Sequence, residues 1–376
     1  KGLVRLRSVS QTINGMEKAM TTKRDINVAL IGYGFVGKTF HAPLIASVPG
    51  LRLLVVSSGS EDKVKKDLPG VKVVAKTEAA IKDPEVDLVV IASPNDTHAP
   101  LAEMALNAGK HVVVDKPFTL NLDEARALAL LAKEKKLLLS VFQNRRWDSD
   151  FLGIRKVIDS GMIGQVKHFE SHMDRFRPEV RDRWREQDLP GSGLWFDIGP
   201  HIVDQALQIF GLPDSVSGDL AILRSGASIN DWAHVILSYP GHKVILHASM
   251  LAAGGVSRFT VHGDKGSVIK QNADQQEKQL IAGVPLGSET WGEDGDDLVV
   301  FDAHQQTTYI QTPRGDQSQY YLQIRDALSH EKVNPVSPVQ AIAVMAVLEA
   351  AVRSSDTGRV QKVELTEDEV AEFHKN

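Results

Sequence analysis

The feature that most constrains this chain is a short apolar run, Ile26–Ile31, followed at once by the pattern Gly32-x-Gly34-x-x-Gly37. An apolar run closed by glycines is typical of a strand buried on both faces. Glycines at this spacing arise by chance in many chains, but here they follow such a strand and open a helix. We therefore expect a tight turn at Gly32, approach of a phosphate group at Gly34, and close helix packing at Gly37. A turn that binds no ligand is the alternative.

Apolar runs continue to alternate with helical segments up to residue 143. The predicted strands are 51–56, 71–74, 86–92, 111–114 and 137–141, and the predicted helices are 39–48, 77–81, 101–108 and 123–135. Such alternation predicts a doubly wound parallel sheet with helices on its faces. We assign residues 25–143 to an α/β dinucleotide-binding domain of the Rossmann type.

The pattern changes beyond residue 143, where strand-like segments are separated by short turns. The predicted strands are 166–173, 217–223, 232–239, 243–250, 258–261 and 267–270, and the predicted helices are 151–160, 319–329 and 338–354. Residues 271–314 are polar and are predicted to be irregular surface excursions. We expect residues 144–376 to form an α+β domain with an open, mostly antiparallel sheet for substrate binding and oligomerisation. Residues 1–24 are expected to be a leader, with Met20 as the natural start.

Composition excludes several classes of protein. The sequence has no cysteine, which removes disulfides and thiolate chemistry. A net charge of −5 provides no basic excess for nucleic acid or an anionic membrane. No apolar run reaches the roughly 18 residues that a membrane helix requires. We expect a cytoplasmic protein whose partners include neither nucleic acid nor membrane.

The residues after the second predicted strand bear on the choice of cofactor. An NAD site usually has an acid about 20 residues beyond the glycines, where it binds the ribose 2′-hydroxyl. Here Ser57 and Ser58 occupy that place, Glu61 is the first acid, and Lys63 follows. Hydroxyls with a nearby cation suit a 2′-phosphate, so we expect NADP rather than NAD. The serines could instead simply form a turn.

Two polar loops follow the fourth and fifth predicted strands. They are Ser93-Pro-Asn95-Asp-Thr-His98 and Asp115-Lys116-Pro117. Ligands of open parallel sheets bind beyond the carboxyl ends of the strands, so both loops are expected to face the cofactor. A helix N-cap is the alternative role for Asn95 or Asp96. The expected cofactor-binding residues are Gly32, Gly34, Phe35, Val36, Gly37, Ser57, Ser58, Lys63, Ser93, Asn95, His98 and Lys116.

A third motif lies in the second predicted domain and ends with Asp197-Ile-Gly-Pro200-His201. Pro200 suits the first turn of a helix. Residues four apart share one side of a helix, so Asp197 and His201 meet if the helix begins near Asp197.

With these motifs, the chain resembles the glucose–fructose oxidoreductase/inositol dehydrogenase family from about residue 25 to residue 363. The family's Glu-Lys-Pro stands here as Asp115-Lys116-Pro117, which keeps the lysine, and Gly193, Asp197 and His201 match its third motif. The runs 32–44, 142–151 and 174–185 look like the NADP-preferring scyllo-inositol dehydrogenase-like branch. The resemblance implies a Rossmann domain, a sheet domain that often mediates dimers or tetramers, and catalysis by Lys116, Asp197 and His201.

The chemistry of an alcohol dehydrogenation gives these three residues distinct roles. His201 has a suitable ordinary pKa, near 6.5, for accepting the hydroxyl proton. Asp197 could orient His201 or hold a substrate hydroxyl, and Lys116 could stabilise the developing alkoxide. A structural histidine and a solvated lysine are the alternatives.

A basic, aromatic set is expected at the mouth of the substrate site. Its members are Arg145, Arg146, Trp147, Arg177 and Arg183, and their alternative role is to pair with Asp148, Asp150, Asp174 and Asp182. The expected substrate-binding residues are Arg145, Trp147, Asp197 and His201. We expect a six-carbon polyol, with inositols first, whose ring could stack on Trp147 or Trp184; a sugar acid is the alternative.

One strand face carries His168, Glu170 and His172, which could in principle bind a metal. We favour a subunit interface there, expect no metal, and expect a homodimer or homotetramer through the C-terminal sheet. Two other functions remain open. One is a non-catalytic NADP-binding regulator, and the other is a hydrolase or lyase that uses tightly bound NAD for transient redox chemistry.

Overall fold

The computed structural model describes residues 24–375, and the leader predicted at 1–24 lies outside them except for Arg24. The first part of the chain forms a six-stranded parallel sheet in the order β3-β2-β1-β4-β5-β6. Its strands are β1 Ile26–Ile31, β2 Leu51–Ser57, β3 Lys72–Val74, β4 Leu88–Ile91, β5 His111–Val114 and β6 Leu139–Val141. The predicted Rossmann sheet is confirmed.

Helices connect these strands and cover the sheet. They are a π-helical turn Gly37–His41 that continues into α1 Ala42–Ala46, then α2 Glu61–Asp67, α3 Thr77–Ile81, α4 His98–Asn107 and α5 Leu122–Lys135. Sequence reasoning missed α2. That short helix has Val64 as its buried residue, so it shows little of the apolar period that predicts a helix.

The second sheet has eight strands in the order β14-β13-β12-β11-β7-β10-β9-β8. Its strands are β7 Val166–His172, β8 Ser215–Ala221, β9 Trp232–Tyr239, β10 His242–Ser249, β11 Phe259–Gly263, β12 Gly266–Lys270, β13 Leu298–Asp302 and β14 Thr307–Ile310. All pairs are antiparallel except β7 with β10. The predicted mostly antiparallel sheet is confirmed.

Three of the helices of the second part pack against this sheet, and the alternation of buried and half-buried residues along β9 indicates that they cover one of its faces. The helices of the second part are α6 Ser149–Asp159, α7 Gly193–Phe210, α8 Gln276–Ile281, α9 Ser318–His330, α10 Pro338–Thr357 and α11 Glu367–Phe373. Helix α10 contacts α7 and β8 of the second part and α5 of the first. The two halves therefore share a packed boundary. None of the helices in residues 24–375 is long and apolar enough to cross a membrane.

The prediction that residues 271–314 are irregular was wrong, because this region contains α8, β13 and β14. Strand β13 is amphipathic, with Leu298 and Val300 buried. Helix α8 is tied down by the fully buried Gln276, whose Oε1 accepts from Gln317 N at 2.8 Å and whose Nε2 donates to Trp147 O at 3.1 Å. Gln317 and Trp147 are distant from Gln276 in sequence, so the polarity of residues 271–314 did not reveal the helix.

Pro200 does not lie in the first turn of α7, contrary to the prediction, because the helix already begins at Gly193. Asn230 fixes this earlier start: its carbonyl accepts from Leu194 N at 2.8 Å, and its Oδ1 accepts from Trp195 N at 2.9 Å. Asp197 and His201 therefore lie within the helix, one turn apart.

Candidate active site

A groove of about 650 Å³ lies at the carboxyl ends of the first sheet's strands. Gly32 needs its positive φ of 96°, and a Cβ there would lie 2.6 Å from Ala92 O. A Cβ on Gly37 would collide with Gly32 O, whereas a Cβ on Gly34 would meet nothing within 4 Å. The outer glycines are thus required by packing, and Gly34 leaves open space. That space fits the phosphates of a dinucleotide at a helix N-terminus.

Hydroxyls and a lysine line the end of the groove where the adenosine ribose of a dinucleotide would lie. Ser57 is buried, with its Oγ 3.1 Å from Thr77 Oγ1. Ser58 and Lys63 also line this end, and Ser58 Oγ accepts from Ser60 N at 3.2 Å. No Asp or Glu belongs to the groove lining within the described part of the chain. This end of the groove is suited to an anionic group.

Asn95 and His98 hold loops in place. Asn95 Nδ2 donates to Gly191 O at 2.8 Å, which links the first half to the segment before α7. The fully buried His98 has Nδ1 2.8 Å from Pro117 O and Nε2 3.0 Å from Ser93 O. Burial lowers the pKa of His98. Neither side chain lines the groove, so their direct contact with a dinucleotide stays a prediction.

A second cavity, of about 370 Å³, lies between the two halves of the chain. It brings together the three residues predicted to be catalytic and three of those predicted to contact the cofactor, with Lys116 belonging to both sets. Its lining comprises Phe35, Val36, Phe40, Asp115, Lys116, Phe142, Asn144, Arg145, Arg175, Arg177, Arg181, Arg183, Arg185, Asp197, Ile198, His201, Glu277 and Ile281.

Lys116 follows β5 and reaches across the cavity to α7. Its Nζ donates to Asp197 O at 2.6 Å and to Asp197 Oδ1 at 3.1 Å. Burial raises the pKa of the Asp197 carboxyl, but Lys116, Arg175 and Arg185 outweigh it and hold that pKa well below its usual range. Asp197 is therefore a fixed negative charge beside the lysine.

His201 lies one turn beyond Asp197 on α7 and is 7% exposed. Burial, followed by the positive charges of Lys116 and Arg145, lowers its pKa well below 6.5. Its Nδ1 is buried without a hydrogen-bond partner among residues 24–375. His201 is thus a neutral imidazole at pH 7, able to accept a proton.

Sequence reasoning missed a buried chain of groups behind Lys116. His41 Nε2 lies 3.4 Å from Asp115 Oδ1, and His41 Nδ1 lies 2.5 Å from the Tyr321 hydroxyl. Burial raises the pKa of Asp115, but His41 and Lys116 more than offset this, and the pKa ends below its ordinary value. Because Tyr321 lies on α9, far along the chain, no local signal could have revealed the contact.

The basic set divides into side chains that line the cavity and side chains that do not. Arg145 lines it and pairs with Asp148 at 3.0 Å and with Glu277 of α8 at 2.9 Å. Trp147 does not line it; its ring packs against Tyr320 at a centroid distance of 6.0 Å. The predicted contact between Trp147 and a substrate therefore stays a prediction.

Two of the other arginines also have partners. Arg146 binds Asp204 through two hydrogen bonds of 2.8 and 2.6 Å, and none of the predicted aspartates is its partner. Arg183 pairs with Glu186 at 2.7 Å. Burial lowers the pKa of Arg177, and the guanidinium groups of Arg175, Arg181 and Arg183 lower it further. Positive charge is therefore concentrated at the mouth of the cavity.

The fold and this cleft define a dinucleotide-binding oxidoreductase, and comparison with known proteins agrees. Residues 26–143 match the model described as "Oxidoreductase family, NAD-binding Rossmann fold". Residues 155–365 match "Oxidoreductase family, C-terminal alpha/beta domain". The chain belongs to this family, the glucose–fructose oxidoreductase/inositol dehydrogenase (Gfo/Idh/MocA) family, and it is an oxidoreductase. The predicted family is confirmed.

Similarity to individual relatives extends over nearly the whole chain. The chain is 52% identical to the oxidoreductase YdgJ of Escherichia coli (strain K12), covering 88% of this chain and 96% of that protein. It is 33% identical to the scyllo-inositol 2-dehydrogenase (NADP(+)) IolW of Bacillus subtilis (strain 168), covering 90% and 96%. A solved oxidoreductase structure from Klebsiella pneumoniae is 66% identical, with a TM-score of 0.89 and coverage of 94% and 99%.

Proposed function

We propose that this oxidoreductase uses NADP to transfer a hydride to and from a secondary alcohol of a polyhydroxylated six-carbon substrate. The observation that carries the proposal is the meeting of Lys116, Asp197 and His201 in one cavity beside the glycine turn. The IolW relative, named for scyllo-inositol and NADP, supports the choice of substrate and cofactor.

Lys116, Asp197 and His201 have different roles in the proposed proton transfer. When bound, the nicotinamide would supply the hydride acceptor or donor. His201, neutral at pH 7, takes the hydroxyl proton during oxidation and returns it during reduction. Lys116 donates to the reacting oxygen as negative charge develops on that oxygen. The ionised Asp197 holds the Lys116 ammonium group in the cavity by accepting its hydrogen bond.

A polyol fits the polar character of the cavity. Its lining contains several charged donors, among them the half-buried Arg177, which has no ion-pair partner within residues 24–375 and would gain none from a plain aliphatic alcohol. Each buried group left unpaired costs about 1–3 kcal/mol, so selection against such an alcohol is expected.

A panel of substrates tests the proposal. Rates of NADP reduction with scyllo-inositol, myo-inositol, glucose and a uronic acid are compared with rates on a simple aliphatic alcohol. Activity on a polyol supports it, and activity confined to the aliphatic alcohol contradicts the substrate class. A regulator would reduce no cofactor, and a hydrolase or lyase with transient redox chemistry would release no free reduced cofactor.

The groove leads to a prediction about cofactor preference. We expect kcat/KM to be higher with NADP than with NAD, because Ser58 and Lys63 line the ribose end without an acid. Ser58→Asp should lower kcat/KM for NADP by about tenfold or more, since its carboxylate would repel a 2′-phosphate. The exposed Ser225→Asp is the control. A wild-type preference for NAD would contradict this reading.

The depressed pKa of His201 predicts the pH profile of alcohol oxidation. A protonated imidazole cannot accept the hydroxyl proton, so kcat/KM should stay level from neutral pH to below pH 6.5. At lower pH it should fall about tenfold per pH unit. His201→Gln should abolish this acid limb along with most of the activity, whereas the exposed His262→Gln should retain it. An acid limb that persists in His201→Gln would assign the proton to another group.

We expect the second sheet to form the main contact between subunits. The helices leave one face uncovered, where Ile236 of β9 faces Ile245 of β10 in register. Ile245→Glu should therefore convert an oligomer to monomer in analytical ultracentrifugation. Leu130→Glu, at a 58% exposed position on α5, should leave the oligomer intact. A monomeric wild-type protein, or dissociation by Leu130→Glu, would overturn the expectation.

A further inference from the structure

A group of histidine and carboxylate side chains lies on the uncovered face of the second sheet, outside the cavity lining. His172 on β7 and His247 on β10 are register partners, and Asp174 follows β7 directly. One nitrogen or oxygen atom from each of the three lies within 4.8 Å of the other two. Asp174 Oδ2 is 3.3 Å from His172 Nδ1, and Asp174 Oδ1 is 3.7 Å from His247 Nε2.

The Asp174 carboxylate has an unused oxygen at the centre of this group. Its side chain is 4% exposed, and Oδ1 is buried without a hydrogen-bond partner among the described residues. The 3.7 Å separation from His247 Nε2 is too long for a hydrogen bond. A buried carboxylate oxygen without a partner is unfavourable, so a cation placed beside Asp174 Oδ1 would be stabilising.

The other nitrogen of each imidazole already faces a partner. His172 Nε2 lies 3.0 Å from Glu170 Oε2, and His247 Nδ1 lies 3.4 Å from His234 Nδ1. An ion would replace the hydrogen bond between His172 Nδ1 and Asp174 Oδ2. With the protons on the other two nitrogens, His172 Nδ1 and His247 Nε2 would then offer lone pairs to that ion. A carboxylate behind a metal-binding histidine is a common supporting contact, and Glu170 provides it here.

The donor set selects the kind of ion. Two imidazole nitrogens and one carboxylate oxygen suit zinc and similar divalent transition metals, whereas calcium and magnesium prefer oxygen ligands alone. The 3.3 Å spacing joins His172 Nδ1 to Asp174 Oδ2 and the 3.7 Å spacing joins His247 Nε2 to Asp174 Oδ1, so an ion between the imidazoles would face both carboxylate oxygens.

We propose that His172, Asp174 and His247 form a binding site for a zinc-like divalent cation, with a water as the fourth ligand. The site lies beside the expected subunit contact and is separate from the hydride-transfer chemistry. Its ion would join β7 to β10. It would also fix the start of the arginine-rich segment 175–185, because Arg175 follows Asp174 and lines the cavity. Sequence reasoning expected no metal here, since the alternation of His168, Glu170 and His172 does not reveal His247.

Calorimetric titration of zinc chloride into the full-length, chelator-treated and tag-free protein tests the site. We expect one zinc per chain with a dissociation constant of about 10 µM or tighter. Asp174→Asn and His247→Gln should each weaken binding by about 100-fold or more, and Glu170→Gln by about tenfold. The control is His330→Gln, which changes a histidine whose side chain is 60% exposed. The chain has no cysteine to bind zinc elsewhere.

A second readout uses Trp232, whose ring centroid is 5.4 Å from that of His247. Cobalt(II) at the site should quench the fluorescence of this tryptophan, and Trp232→Phe should remove most of the quenching. Circular dichroism establishes that each variant is folded, and two ligand variants are used in case one does not fold. Stoichiometric binding lost in a folded ligand variant supports the site. Wild-type affinity in folded Asp174→Asn or His247→Gln, or no stoichiometric binding by the wild type, overturns it.

Discussion

Lys116→Met should fold as the wild type does but lose at least about 10²-fold in kcat, the usual scale for removing a donor to a developing negative charge. Methionine retains most of the side-chain volume and removes the ammonium that donates to Asp197 at 2.6 and 3.1 Å. The reacting oxygen would then lack its donor in the transition state, and Asp197 would lose the cation that contributes most to lowering its pKa.

Steady-state kinetics on the best substrate from the panel, together with thermal unfolding, measures this effect. Lys133→Met, at an exposed position on α5, is the matched control and should keep wild-type turnover. A kcat within about twofold of wild type in Lys116→Met would mean that the chemical site lies elsewhere.

Asp204→Ala should lower the free energy of unfolding by about 3–5 kcal/mol, because it leaves a buried guanidinium without its carboxylate. The side chains of Arg146 and Asp204 are 8% and 3% exposed. Arg146 also donates to Pro335 O at 2.8 Å and to Gln340 Oε1 at 3.1 Å, so it connects α7 to the start of α10. These two contacts cannot neutralise the charge that Asp204 balances.

Urea unfolding monitored by circular dichroism gives the change in free energy. The control is Arg314→Ala, which breaks an ion pair with Glu293 whose side chains are 55% and 52% exposed. It should cost about 1 kcal/mol or less, since water and salt screen an exposed pair. A loss in Asp204→Ala as small as in this control would show that the buried pair contributes little.

Elements with strong local signals were predictable from the sequence. Strand β1 and helix α3 have the predicted bounds, because an apolar run closed by glycines and a short amphipathic turn are determined within a few residues. The presence of Lys116 and His201 in one cavity was predictable for a related reason: the end of a parallel strand and one helix turn place side chains by simple geometry.

Features that depend on distant partners could not be predicted in this way. The start of α7 depends on Asn230, and the position of Trp147 depends on its packing against Tyr320. Pairing with a nearby aspartate was the alternative predicted for Arg146, but its buried partner is Asp204 of α7. In each case a tertiary contact outweighed the local pattern of charge or polarity.

The shared boundary made by α10 bears on the order in which the chain acquires its structure during synthesis. Leu122 N, at the start of α5, donates to Glu349 Oε1 of α10 at 2.7 Å, and Arg126 pairs with Glu369 of α11 at 2.7 Å. The nucleotide-binding half leaves the ribosome first, yet one flank of it gains its covering only when α10 and α11 have been translated. A fragment that ends at residue 143 would lack these contacts and would expose the flank of α5 that α10 covers.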